Sequence, residues 1–242
     1  MGVFGGAQSG SELESAALMI TMDISAVLES EFNDWYDFQH LPERLSVPGF
    51  FRARRFVAAR NGSANPFGKY LTIYDTTSLE ALRSSEYLER LNHPTEWTTR
   101  MVSSCQRVTR TVCCTIYKYG DLSGGRILLG RFAADDTRAV TATITTLLQP
   151  LVESRLAVSI HILEDDQDVT MVKTATREGA SARETSLEGT FVIIDLSSRA
   201  RPEDVRKALT SAPLQDDNHE PDEFSLVLSD LCAYSLITEG RG

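Results

Sequence analysis

Apolar and polar positions along the first half of the chain predict alternating strands and helices. Runs rich in β-branched residues alternate with stretches of helical periodicity, and a Gly/Asn/Pro-rich connection between two of the runs is typical of a hairpin. The segments in chain order are a strand at Ala16–Asp23, a helix from about Ala26 to Leu41, strands at Phe50–Ala59 and Lys69–Asp75, a helix opened by the T-x-x-E capping box Thr77–Glu80, a short helix at Thr95–Ser103, and a strand at Arg107–Tyr119.

The second half predicts the same order after a flexible Gly-rich linker, Gly120–Gly125. Its first helix carries a stripe formed by Val140, Ile144, Leu147, Leu148 and Leu151, and Pro150 is expected to kink it or end it early. A polar stretch, Glu164–Glu188, has no counterpart in the first half and contains one edge-strand candidate, Val169–Thr174. The segments are Arg126–Phe132, Asp135–Glu153, Leu156–Leu163, Thr190–Leu196, a helix from Pro202 to about Ala212 stopped by Pro213, and Phe224–Thr238.

Two β-α-β-β-α-β series predict an α+β protein of two tandem ferredoxin-like units. Each unit is an antiparallel sheet with helices on one face, so the bare sheet faces are expected to pack face to face as in a dimeric α/β barrel. We predict a tail at residues 1–14 and units at residues 15–120 and 125–242. A doubly wound parallel sheet is the alternative, disfavoured by the hairpin pattern; a helix bundle does not fit the β-branched runs.

Charge and composition narrow the function classes. The 242 residues include 24 Lys and Arg against 34 Asp and Glu, a formal net charge of −10. This balance argues against nucleic-acid binding, which requires a basic face. We expect no membrane association, since no apolar run reaches the roughly 20 residues of a membrane span. The first 14 residues do not have a signal-peptide pattern, which favours a cytoplasmic protein.

Motifs for standard cofactors and metals are missing from the sequence. The four cysteines lack C-x-x-C spacing and are expected to be reduced thiols that pack as small hydrophobic residues. Dinucleotide, P-loop and zinc-protease motifs do not occur. We therefore predict no cofactor and no metal site.

The densest cluster of polar and aromatic residues is Trp35–Arg44. On an ideal α-helix, Trp35 and Gln39 share the centre of an apolar stripe, while Tyr36 and His40 lie along its edge. Trp35 and Gln39 are candidates for substrate binding. His40 is the candidate general acid–base group and Tyr36 the candidate partner that orients a substrate oxygen. The structural alternative is that His40 caps the helix end and Tyr36 packs in the core. Glu43 would join them only if the helix continued through Pro42.

Three further residues are weaker candidates for substrate binding. His93 and Trp97 lie in a polar-aromatic cluster after the second helix, although a helix-breaking loop in which Trp97 fills space is the simpler interpretation. Arg52 shares a strand face with Arg54 and suits a carboxylate, although pairing with a surface acid is the simpler interpretation.

One stretch of the first half resembles a known family. The run Phe32–Arg44, with its W-Y-x-x-H-L-P-E core, followed by Val47-Pro48-Gly49-Phe50 and an Arg-rich strand, resembles the EthD-like group of the dimeric α+β barrel superfamily. The segment Lys69–Asp75 fits the strand before that group's second helix. The second half matches in element order only and lacks the motif. The resemblance implies a ligand cleft between sheet and helices, lined by His40, Tyr36 and Trp35, and pairing of sheets.

Three functions stay open at this point. The first is a small-molecule enzyme without metal or organic cofactor, acting on an aromatic or polyketide-like compound with His40 as the acid–base residue. The second is a non-catalytic stress-response or structural binding module. The third is a haem-binding relative with His40 or His93 as the axial ligand. We expect an internal pseudo-dimer, with a homodimer as a further alternative, and the resemblance by itself does not fix the reaction.

Overall fold

The computed structural model describes residues 8–9, 15–58, 65–132, 137–211 and 232–242. The strands are β1 (Gln8–Ser9), β2 (Ala16–Asp23), β3 (Phe50–Ala58), β4 (Tyr70–Thr76), β5 (Gln106–Tyr119), β6 (Arg126–Phe132), β7 (Ala157–Asp165), β8 (Glu184–Thr185), β9 (Thr190–Leu196) and β10 (Cys232–Arg241). The α-helices are α1 (Glu29–Trp35), α2 (Leu41–Leu45), α3 (Ser85–Asn92), α4 (Glu96–Ser104), α5 (Thr137–Glu153), α6 (Gln167–Met171), α7 (Arg177–Ser181) and α8 (Pro202–Ser211).

The chain divides into two compact units. The first unit comprises Glu14–Cys114, Asp165–Glu188 and Ile237–Gly242; the second comprises Thr115–Glu164 and Gly189–Leu236, together with residues 1–13. The polar stretch that interrupts the second half of the sequence therefore belongs structurally to the first unit.

The first unit is an antiparallel sheet with strand order β5-β2-β4-β3. The predicted hairpin is confirmed, because β3 and β4 pair antiparallel with Arg54 opposite Ile73. This pairing excludes the doubly wound alternative. Alternate β2 residues enter one hydrophobic core with side chains from the helices; among them are Leu18, Ile20, Phe32, Trp35, Tyr74 and Leu91.

Two helix boundaries of the first unit differ from the prediction. The T-x-x-E pattern Thr77–Glu80 does not form a capping box: Ser78 precedes a 3-10 turn, and its side chain makes no capping hydrogen bond. Helix α3 begins after Ser84, whose hydroxyl accepts a hydrogen bond from Tyr87 N at 3.2 Å. Helix α4 begins as predicted after Thr95, which accepts from Thr98 N.

The first helical stretch also extends further than predicted. It passes through Pro42 and ends at Leu45, because a π-helical turn at Tyr36–His40 lies between α1 and α2. In that turn Leu41 N donates to Tyr36 O, five residues back. A proline is tolerated early in α2 since its missing N–H falls where the α-helical hydrogen-bond ladder is already interrupted.

Residues 165–188 form a cap over the helix-bearing face of the first sheet, and we call this segment the cap. The edge strand predicted at Val169–Thr174 is wrong: Asp166 accepts a hydrogen bond from Val169 N and starts helix α6, which a 3-10 turn continues. The cap joins the sheet through β8, which pairs parallel with β5 at Val108 and Thr109. Thr170 adds a hydrogen bond from Val112 N to its hydroxyl.

The second unit has the same element order and strand order, β10-β6-β9-β7, and its pairs are antiparallel. Helix α5 continues past Pro150 and ends at Glu153, the end of the predicted segment, so Pro150 does not end it early; α8 begins at Pro202 as predicted. Leu148 and Leu151 are buried, whereas the side chains of Val140, Ile144 and Leu147 lie outside the described residues. The predicted strand start at Phe224, the helix end at Ala212 and the stop at Pro213 also lie outside them.

These observations confirm the predicted α+β fold class, with an antiparallel ferredoxin-like sheet in each unit. The four cysteines are free thiols, as predicted. None of the helices in the described part of the chain is long and apolar enough to cross a membrane.

Candidate functional site

The π turn brings His40 onto the ring of Trp35. The two ring centroids are 4.3 Å apart, and the rings are tilted by 36°. In a regular α-helix, residues five apart point in different directions, whereas a π turn closes its hydrogen bonds over five residues and aligns them. Tyr36 packs edge-on against the same imidazole at 5.1 Å.

The same turn corrects the predicted helical wheel. His40 is 3% exposed and sits inside the core rather than at the edge of the stripe. Gln39, predicted at the centre of the stripe, turns toward α4 and donates from Nε2 to Thr95 Oγ1 at 2.6 Å and Thr98 Oγ1 at 3.0 Å. Trp35 Nε1 also donates to Thr98 Oγ1, at 3.2 Å. These bonds hold the π turn against the start of α4.

His40 opens onto a cavity inside the first unit, between the sheet, the cap and the continuous helical stretch Glu29–Leu45, which we call the motif helix. The space around His40 amounts to about 430 Å³ only when the open solvent at the mouth of the cavity is counted, and the part enclosed by side chains is much smaller. Trp35, Tyr36 and Tyr87 provide aromatic walls. The aliphatic and thioether walls are Ile20, Met22, Val102, Val108 and Ala182. A mostly apolar cavity with a few polar groups is typical of a small-molecule site.

A buried charge network forms the polar side of the cavity. Arg44, one turn after His40, pairs with Glu178 of the cap, and both side chains are nearly inaccessible. Lys173 Nζ lies 3.0 Å from Glu178 Oε1 and 2.6 Å from Glu184 Oε1. All four side chains line the cavity. Two cations and two carboxylates balance, which is the condition for burying such charges.

The protonation states follow from burial and from this network. Burial lowers the pKa of His40 well below its ordinary 6.5, and the Arg44 guanidinium lowers it further, while Glu178 opposes them. The imidazole is therefore neutral at neutral pH. Burial would raise the pKa of Glu178, but Arg44 and Lys173 outweigh it and hold that carboxyl ionised. Burial raises the pKa of Tyr36 to about 12, so its phenol stays protonated.

His40 also has an unused hydrogen-bonding atom. Its Nδ1 is buried and has no hydrogen-bond partner among the described residues. Buried polar groups are nearly always paired in folded proteins, and an exception requires an explanation. The predicted alternative, in which His40 caps the helix end, finds no support, since no side-chain capping bond is formed at α2.

Sulfur atoms lie on the opposite wall of the cavity. Cys105 Sγ and Tyr36 Oη each approach Met22 Sδ at 3.8 Å. Burial raises the pKa of Cys105 to about 12, so its thiol is protonated and a poor nucleophile. This wall therefore serves as a polarizable apolar surface.

The remaining sequence candidates do not line this cavity. Arg52 Nε pairs with Asp75 Oδ2 at 2.5 Å, which agrees with the simpler interpretation given above. His93 is exposed and pairs with Glu89. Trp97 packs against the core, and its buried Nε1 has no partner in the described part of the chain. Glu43 stays outside the cavity lining although the helix does continue through Pro42. Among the described residues there is no group of three or more His, Cys, Asp or Glu side chains that could hold a metal ion.

Sequence reasoning missed the residues that the cap contributes. Lys173, Glu178 and Glu184 lie in a polar stretch with no motif, and Glu178 meets Arg44 across 134 positions of sequence. Arg44 was part of the cluster Trp35–Arg44, but the sequence pattern indicated no function for it. The one available indication was that the polar stretch is an insertion, which marks a segment that the core fold does not require.

Comparison with known proteins gives the fold and little else. No model of a known protein family matches the chain, and no curated protein matches its sequence. An anthrone oxidase-like protein of known crystal structure is similar over 98% of this chain and 96% of its own, with a TM-score of 0.57 and 10% identity. A proposed monooxygenase from Fusobacterium nucleatum is similar over 96% of both chains, with a TM-score of 0.51 and 4% identity. At such identities the similarity shows a shared fold, that of the dimeric α+β barrel class.

Proposed function

We propose that this chain binds a small aromatic or polyketide-like compound in the cavity at His40 and removes a proton from it without a bound cofactor. The observation that carries the proposal is the neutral, buried imidazole of His40, stacked on Trp35 at the wall of a largely apolar cavity. A neutral imidazole accepts a proton, and flat aromatic walls suit a flat ligand.

The proton transfer uses groups that are already in place. His40 takes the proton from the compound, and the electron pair stays on the compound as a delocalised anion. Burial and Arg44 disfavour the imidazolium that forms, and the negative charge of Glu178 offsets part of that cost. Tyr36, protonated at all relevant pH values, packs against the ring of His40 and fixes its orientation. The apolar walls reduce the amount of water around His40, which strengthens each of these electrostatic interactions.

Two further considerations support an enzyme of this kind. The W-Y-x-x-H-L-P-E stretch resembles the EthD-like group, and we propose that the chain is a tandem member of it, with units near residues 15–120 and 125–242. The name of the anthrone oxidase-like protein suggests a probe, since anthrone is an aromatic ketone with an acidic methylene group.

The test is exchange of the methylene protons of anthrone for deuterium, followed by NMR in D2O under argon. The absence of oxygen separates proton removal from any oxidation. Wild-type protein is expected to accelerate exchange, and His40→Ala to reduce the acceleration by about 100-fold or more, the usual contribution of a general base. His93→Ala is the matched control, because it removes an exposed histidine outside the cavity.

The outcomes distinguish the functions that the sequence left open. Exchange that depends on His40 supports the proposal. Binding of anthrone without exchange overturns the enzyme and favours a non-catalytic binding module. If anthrone neither binds nor exchanges its protons, the proposal is overturned for aromatic ketones as a class. If exchange is equal in wild type and His40→Ala, His40 is not part of the mechanism.

A further inference from the structure

The amino group of Lys173 has one more donor than the protein uses. An ammonium group carries three N–H donors. Glu184 accepts one of them at 2.6 Å, Glu178 lies within ion-pair distance at 3.0 Å, and no further acceptor for Lys173 is found among the described residues. The side chain is 6% exposed, and it lines the cavity. Its third N–H is therefore available to a molecule in the cavity.

Lys173 is protonated and positively charged at neutral pH. Burial works to lower the pKa of Lys173, but Glu178 and Glu184 outweigh burial and raise the pKa above its ordinary value. The two carboxylates also fix the position of Nζ, since Glu178 is itself held by Arg44. A fixed cation in a water-poor cavity stabilises developing negative charge without having to reorganise.

The position of Lys173 relative to His40 defines a pair of complementary groups. His40, on the motif helix, removes a proton and leaves a negative charge on the compound. Lys173, on the cap, lines the same cavity and influences the pKa of His40 electrostatically. A compound that uses both groups must carry an oxygen conjugated to the atom that bears its acidic hydrogen. The negative charge that forms when His40 removes the proton can then be delocalised onto the oxygen that faces Lys173.

We infer that Lys173 is a further catalytic residue, which donates a hydrogen bond to the carbonyl or phenol oxygen of an enolisable carbonyl compound and holds the enolate charge formed when His40 takes the neighbouring proton. The inference rests on the proposed function and names its substrate class. The C–H or O–H bond breaks, the proton goes to His40, and the electron pair ends on the oxygen facing Lys173. Return of the proton regenerates both partners.

The test uses 4-nitrophenol, whose neutral and ionised forms absorb at different wavelengths. Its ionised form imitates an enolate, so the ratio of ionised to neutral bound probe measures how strongly the cavity stabilises an oxyanion. Wild-type protein is expected to raise this ratio above the value in buffer at the same pH. Lys173→Met is expected to lower the bound ratio about 10- to 100-fold, the usual range for a charge-assisted hydrogen bond.

Three variants make the result specific. Lys173→Arg keeps the positive charge and should restore most of the ionised fraction. Lys69→Met removes a lysine from an ion pair with Glu29 outside the cavity and should leave the ratio unchanged. His40→Ala should keep the raised ratio of ionised to neutral bound 4-nitrophenol, because Lys173 is still present. This variant therefore separates charge stabilisation by Lys173 from proton removal by His40. If Lys173→Met does not fold, Lys173→Met with Glu184→Gln removes one charge of each sign and takes its place.

The outcomes separate this inference from the proposed function. An ionised fraction that falls with Lys173→Met and recovers with Lys173→Arg supports it. An unchanged fraction in Lys173→Met, or no binding of 4-nitrophenol while anthrone still exchanges protons, overturns the role of Lys173 and leaves His40 in place. Loss of anthrone exchange in His40→Ala with a normal nitrophenol ratio confirms that two different groups act.

Discussion

The two units share one topology but have different interiors. The core of the second unit is aliphatic, with Leu128, Leu151, Ile160, Ile162 and Ile194 among its members. The core of the first unit is built around aromatic rings, and it also encloses charges. Its buried His, Arg, Lys and Glu side chains among the described residues are His40, Arg44, Arg54, Arg55, Arg110, Lys173 and Glu178. In the described part of the second unit, Asp195 is the buried charged residue.

This difference shows that the fold does not need the charges. The second unit forms the same four-stranded order with an aliphatic interior, which is the simpler way to stabilise it. Replacing buried ion pairs by apolar residues is often neutral or stabilising, so their presence in the first unit is a disadvantage for stability. The charges, the π turn and the cap occur together in one unit, and four of the buried side chains, His40, Arg44, Lys173 and Glu178, line one cavity there. We attribute that concentration to the site.

The largest effect is expected from neutralising Glu178. Glu178→Gln removes the negative charge that pairs with the buried cations Arg44 and Lys173. It should therefore lower the free energy of unfolding by about 3–5 kcal/mol. Asp195→Asn is the matched change in the second unit, where the carboxylate accepts from Gly124 N and Ser159 Oγ. It should cost about 1 kcal/mol, because an amide can keep both hydrogen bonds. Urea denaturation measures the free energy of unfolding of both variants. Equal losses would contradict the difference between the charged interior of the first unit and the aliphatic interior of the second.

A cavity in the aliphatic core should affect stability without affecting the site. Leu151→Ala, at a fully buried position of α5, is expected to cost about 2–5 kcal/mol. Binding of 4-nitrophenol to the folded variant should match that of wild type. Calorimetric melting and a binding titration on the same sample test this, and weakened binding would show that the aliphatic core supports the cavity.

Stability should fall with acidity in two steps that originate in the first unit. The folded-state pKa of His40 is depressed, so below about pH 6.5 the unfolded chain takes up a proton that the folded chain does not. The free energy of unfolding then falls by up to about 1.4 kcal/mol per pH unit. Below about pH 4.5 Glu178 adds a second loss of the same sign, since its folded pKa is also depressed. Denaturation at several pH values should show the first step vanish in His40→Gln and persist in His93→Gln.

The smallest effect is expected at His93. His93→Ala removes an exposed contact with the Glu89 side chain and should change the free energy of unfolding by no more than about 0.5 kcal/mol. The affinity for 4-nitrophenol should also be unchanged. A binding defect in this variant would bring the polar-aromatic cluster after α3 back as part of the site.

Much of the architecture was determined by the sequence. Period-two runs and turn residues predicted both β-α-β-β-α-β series, including the β3–β4 hairpin and the helix starting at Pro202, because backbone hydrogen bonding and burial act over short stretches. The cluster around Trp35, Tyr36 and His40 was also visible, since four aromatic or imidazole rings within six residues, Phe38 included, stand out in any helix.

The tertiary structure alone decided where the rings of that cluster lie relative to one another and which charged residues they meet. Helical periodicity placed His40 at the edge of the stripe, and the π turn moved it onto Trp35, because packing of α1 against α4 and the sheet determines where a helix takes an extra residue. Lys173 and Glu178 reach the cavity because the cap folds back across the first sheet. No local pattern encodes a contact between residues more than a hundred positions apart, and the charges they carry are stable in the interior only when those contacts have formed.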